Sequence, residues 1–253
     1  MSLDLKDLIR TDYVKKYFNR NKNIFTISFI IFILFIIMGA LVFDVEDIMG
    51  QTGIDQKINP QRVDAYVVGE DSLEKVYYED SWDKENYMKE NPNEYMDENK
   101  YRETVFNSLF ADYNFMGFVN LFWHNFSIDF ECILGGLLLS IPSIITTFIN
   151  AGQIGALLSQ VNFIIILFGV APHGIFEVPS SLFALAGAFM LTSFEFKMVN
   201  AILSSYTTIK DEINLSSYLI KDAIISAEIV LILLIIAAFI ETFVTPILLW
   251  LII

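Results

Sequence analysis

Lysine and arginine are missing from two long stretches of this 253-residue chain: none lies between Arg102 and Lys197, and none follows Lys221. A water-soluble fold keeps charge on every face, so these stretches exclude an ordinary soluble domain. Cysteine occurs once, at Cys132, which excludes an intrachain disulfide and gives no information on redox compartment. Histidine occurs only at His124 and His173, without an HExxH pair, so a zinc protease lacks its ligands. No GxSxG elbow, Walker motif or GxGxxG is present. The motifs therefore name no catalytic residue, no cofactor and no metal, and the chain is expected to be non-enzymatic.

Apolar residues are abundant. They make up 55% of the chain, and the mean hydropathy is +0.52. Several uncharged runs approach the roughly 20 residues that cross a hydrocarbon core. The net charge of -14 comes mostly from residues 44–115, where 18 acidic residues face seven basic ones. Such a segment repels polyanions, so no nucleic-acid partner is expected.

Residues 1–23 carry six Lys and Arg, with apolar positions at near-helical spacing, and read as a basic amphipathic segment on the cytoplasmic side. Residues 24–43 are uncharged and form the first span; the basic flank keeps the N-terminus inside. Residues 44–115 form an extracellular acidic domain. The remainder, 116–253, is a membrane bundle with spans at 129–149, 151–171, 174–194 and 223–245, and a cytoplasmic connection at 196–222. The fold class is thus an all-α membrane protein of about five transmembrane helices. Asn150 leaves almost no room for a loop between the second and third spans. Broken or re-entrant pieces, giving six segments, are the alternative. This multi-pass arrangement places the chain in the plasma membrane with its C-terminus outside, and Trp123 level with Trp250 in the outer aromatic belt.

Polar residues inside a membrane are costly and face a bundle interior or a wet cavity. An outer layer comprises Asp129, Glu131, His173, Glu177 and Glu241. His173 and Glu177 are four apart and share one helix face. Pro172 and Pro179 bracket them, and Pro179 suits the first turn of a new helix. The reading is that Glu241 meets this turn. The alternative is a purely structural role, in which the His173/Glu177 pair caps a broken helix. An inner layer comprises Glu195, Lys197 and Glu228, with Glu228 a partner for Lys197 or Lys221. Small residues at Gly152, Gly155, Gly174 and Gly187 permit close helix approach and a homodimer. Pro142 is expected to kink the second span. Asn125-Phe-Ser127 matches a glycosylation sequon.

Three segments carry a family resemblance: Pro172-His173-Gly174-Ile-Phe-Glu177-Val-Pro179, Ala184-Leu-Ala186-Gly187-Ala188, and Glu241-Thr-Phe-Val-Thr245-Pro246. Asn150-Ala-Gly152-Gln-Ile-Gly155 is similar to the family's Asn-Gly turn with an alanine inserted. Together they resemble the stage II sporulation protein M family over roughly residues 114–246. The resemblance implies a multi-helix bundle without enzymatic activity, acting in an envelope complex. Two functions stand: a scaffold that contacts membrane lipid and an envelope protein partner, or a transporter-like conduit for an amphiphile.

Overall fold

The computed structural model describes residues 11–43, 106–161, 163–203 and 208–252. The acidic domain, apart from its last ten residues, lies outside them. Five main helices account for nearly all the described chain: α1 (Thr11–Val42), α2 (Phe115–Leu134), α3 (Ile141–Gln160), α4 (Phe163–Leu203) and α5 (Ile209–Ile252). All but α2 are long and apolar enough to cross a membrane. α2 is more polar, carrying Asn120, His124, Asn125, Asp129 and Glu131. The outward faces suit lipid: Ile27, Ile30, Leu34 and Ile37 on α1 are all more than half exposed.

Side-chain pairs give the directions. α1 and α3 run parallel, with Phe35 against Phe148 and the Phe43 carbonyl accepting from Gln160 Nε2 at 2.8 Å. Gly155 allows this approach, because a Cβ there would strike the Ile36 carbonyl. α2 and α4 also run parallel, in a constant register: Asn125 with Glu177, Asp129 with Ser180 and Ser181, and Gly136 against Ala188. α4 and α5 are antiparallel, with Gly187 beside Ser226 and His173 beside Glu241. α1 meets α5 near its own start, where Arg20 and Asn21 reach Asp222 and Tyr17 reaches Ser226. The side where α1 begins is called the N-terminal side below, and the opposite one the far side.

Among the described residues four helices are long and apolar enough to cross a membrane, against the expected five or so, and the helix boundaries also differ from those expected. The expected second span, 129–149, is interrupted. α2 ends in a 3₁₀ turn at Gly135–Leu138, and Leu139 and Ser140 adopt left-handed backbone (φ 57° and 58°). Gly135-Gly136 weakens the helix there. Thr192 Oγ1 then donates to the Gly136 carbonyl at 2.7 Å and pairs with Ser140 Oγ at 2.5 Å, fixing the turn against α4. Pro142 does not kink a helix; it opens α3 at a first-turn position, where its missing N–H is not needed. Asn150 sits within α3 rather than at a loop, and α3 ends before Val161.

The Pro172/Gly174/Pro179 stretch is not a break either, since α4 continues through it for 41 residues. The preceding turn is a π-turn, Ile166–Val170, two residues before Pro172. α5 repeats the arrangement, with a π-turn at Ile240–Val244 two residues before Pro246. A proline cannot donate to the carbonyl four residues back and its ring crowds it. Widening the preceding turn accommodates that loss without ending the helix.

The expected connection at 196–222 is helical at both ends. α4 runs to Leu203, and α5 starts at Ile209 behind Thr208, whose Oγ1 accepts from the Asp211 N–H at 3.2 Å. At 1.5 Å per residue α4 and α5 are roughly 60–66 Å long, about twice a hydrocarbon core. The excess lies on the N-terminal side. Trp250 packs on Phe106, whereas Trp123 lies beyond Phe118, the residue that stacks on Phe243. The two tryptophans are therefore not level.

Candidate functional site

His173, Glu177 and Glu241 meet where α2, α4 and α5 converge. His173 Nε2 is 3.8 Å from Glu177 Oε2 and 4.0 Å from Glu241 Oε2. Asn125 Nδ2, from α2, donates to Glu177 Oε1 at 2.8 Å. One turn along α2, Asp129 is buried and accepts from Ser180 Oγ at 2.6 Å and Ser181 Oγ at 3.1 Å. Two unengaged buried atoms lie nearby in sequence: His173 Nδ1 and Thr245 Oγ1.

Both π-turns border this cluster. One precedes His173 by a few residues and the other contains Glu241. A π-turn rotates the following side chains relative to a regular helix, which turns His173 and Glu241 toward each other. His173 lies ten residues from the far end of α4 and Glu241 eleven from that of α5. That is roughly 15 Å along each helix, so the cluster is deeper than the surface layer read from sequence.

Chemically, the group is two carboxyls and one imidazole with no lysine or arginine partner among the described residues. One ligand atom from each of His173, Glu177 and Glu241 lies within 4.8 Å of the others, a set able to hold a divalent cation. The local His173/Glu177 motif alone supplies too few ligands; Glu241 from α5 adds the third.

The other sequence candidates fall elsewhere. Glu131 is exposed on α2 and stands apart from the cluster. Gly152, Gly155 and Gly187 are close-packing sites, whereas a Cβ on Gly174 would meet only Val170 Cγ1 at 3.9 Å. Thr245 and Pro246 are buried behind the α5 π-turn. Glu195 and Glu228 each keep a buried carboxyl oxygen without a hydrogen bond. Among the described residues, neither Lys197 nor Lys221 pairs with Glu228.

Two features escaped the sequence reading. Asn125, matched to a sequon, instead points its amide into the bundle at Glu177. No sequence signal marks it, because the 52-residue register that pairs α2 with α4 is seen only in the structure. A second network ties α1 to α5 on the N-terminal side. Asp222, fully buried, accepts from Arg20 Nε at 2.8 Å, from Arg20 Nη2 and from Asn21 Nδ2 at 2.7 Å. The Tyr17 and Ser226 hydroxyls pair at 2.7 Å beside it. An acid at the entrance to an apolar run, with a basic arm elsewhere in the chain, was the available hint.

The spanning helices and the buried carboxyl–imidazole group define an all-helical membrane protein with a polar centre inside its bundle. The family model for stage II sporulation protein M matches residues 28–246, and the chain belongs to that family. Neither the curated proteins nor the solved structures give a match.

Proposed function

We propose that the protein is a non-enzymatic membrane scaffold, an assembly partner in a cell-envelope complex. It sits in the plasma membrane with its N-terminus cytoplasmic and its C-terminus outside. The observation that carries this reading is the paired end of α4 and α5. Beyond the level of Asp222 and Thr192, α5 extends thirteen residues and α4 eleven, roughly 15–20 Å past the start of the apolar runs. There Ile202, Leu203, Ile209 and Leu215 are at least half exposed. Large apolar side chains held out on rigid helices mark a contact surface.

The test is the mass of the assembly extracted from native membranes in mild detergent. The scaffold runs well above the 28.9 kDa chain, and Leu203→Asp/Leu215→Asp returns it to a single chain without lowering its thermal midpoint. A wild-type protein that runs alone sinks the proposal. A second reading, a conduit, is favoured by the His173/Glu177/Glu241 group, because ionisable residues within a bundle commonly mark an ion or substrate path. It requires flux that depends on Glu241.

A further inference from the structure

An open cavity of about 210 Å³ lies on the N-terminal side between α1 and α5, lined by Lys16, Tyr17, Arg20, Tyr218 and Lys221. We infer that it binds a phosphate group, that of an anionic phospholipid headgroup.

Charge supports the ligand class. The nearest carboxylate, Asp222, is engaged by Arg20 and Asn21. The Arg20 guanidinium also lies over the Tyr218 ring, 5.1 Å from its centre, and is held in place from both sides. Lys16 and Lys221 are exposed and have no carboxylate partner among the described residues. With the Arg20–Asp222 pair neutral, the cavity carries two uncompensated positive charges.

Depth supports the source. On α1 the apolar run begins at Ile24, four residues after Arg20; on α5 it begins at Ala223, two residues after Lys221. The cavity is therefore level with the start of both membrane-embedded stretches, the depth at which headgroup phosphates lie. Tyrosine is at home at that level, with its ring in the apolar boundary and its hydroxyl bonded. Tyr17 meets this description, its hydroxyl being bonded to Ser226. The cavity belongs to a different region from the His173 group, so the inference stands whether the protein is a scaffold or a conduit.

The experiment uses the full chain in detergent, with native mass spectrometry reading lipid retention. The probes are phosphatidylglycerol, phosphatidylcholine and inorganic phosphate. Phosphatidylglycerol is expected to be retained over phosphatidylcholine. Lys16→Ala/Lys221→Ala should reduce that preference by roughly 25-fold, about fivefold for each lysine near an anionic group. Lys16→Arg/Lys221→Arg should restore it, and all three proteins should melt together because both lysines are exposed. An unchanged preference in the alanine pair overturns the inference. Displacement of the lipid by low-millimolar inorganic phosphate overturns the headgroup as the source.

Discussion

Replacing Asp222 by alanine should uncouple α1 from the rest of the bundle on the N-terminal side. Asp222 is fully buried and accepts three hydrogen bonds, two from Arg20 and one from Asn21. Removing one partner of a buried charge pair costs about 3–5 kcal/mol. Here the lower end applies. The Arg20 side chain is one-third exposed and can turn to water or headgroups, and Asn21 keeps its bond to the Tyr17 carbonyl at 3.1 Å. A loss of about 3 kcal/mol corresponds to roughly 6–12 °C in thermal midpoint for a protein of about this size. The assay is thermal unfolding in detergent, run as a double-mutant cycle. Arg20→Ala alone leaves the Asp222 carboxylate buried without its cation, so it should cost at least as much. The double variant should cost clearly less than the sum of the two. Strict additivity, or a shift under 2 °C for Asp222→Ala, refutes the clamp.

Three further substitutions probe the helix contacts. Gly155→Leu should cost more than 2 kcal/mol, because its Cβ meets the Ile36 carbonyl across the α1–α3 contact; a midpoint equal to wild type contradicts that packing. Gly174→Ala should be neutral or stabilising by about 0.5–1 kcal/mol, since α4 is continuous there and the site is open; a marked loss would restore the helix break at this motif. Asn125→Ala should cost about 1–3 kcal/mol by leaving Glu177 without its donor. Asn125→Asp should cost more, because it adds a third acidic group beside Glu177 and Glu241. The reverse order in unfolding assays would show that Asn125 does not serve the cluster.

Fold class was legible because it depends on bulk properties. The apolar runs after Lys22 and Lys221, and the stretch from 103 to 196 without lysine or arginine, dictate membrane helices whatever their detailed packing. Helix ends were not legible where proline and glycine pull in opposite directions. Pro172 and Pro246 look like terminators, yet each follows a π-turn that absorbs the missing bond. The true interruption falls at Leu139 and Ser140, which have no special sequence signature. Both adopt left-handed backbone, and the Ser140 hydroxyl is tied to Thr192, 52 residues away in the chain. The cluster was partly legible: His173 and Glu177 by their spacing, and Glu241 by depth. Asn125 and the Ser180/Ser181 pair on Asp129 depend on the α2–α4 register, which no local pattern encodes. The Arg20–Asp222 clamp likewise joins residues about 200 positions apart.

The scaffold account is tested most directly by sealing the purified protein into liposomes and following the transfer of fluorescent phospholipid and small cations across the bilayer. The account predicts rates no higher than those of protein-free liposomes, identical for wild type and Glu241→Gln. Transfer that requires the protein and disappears in Glu241→Gln would contradict it and establish the buried His173/Glu177/Glu241 group as part of a path.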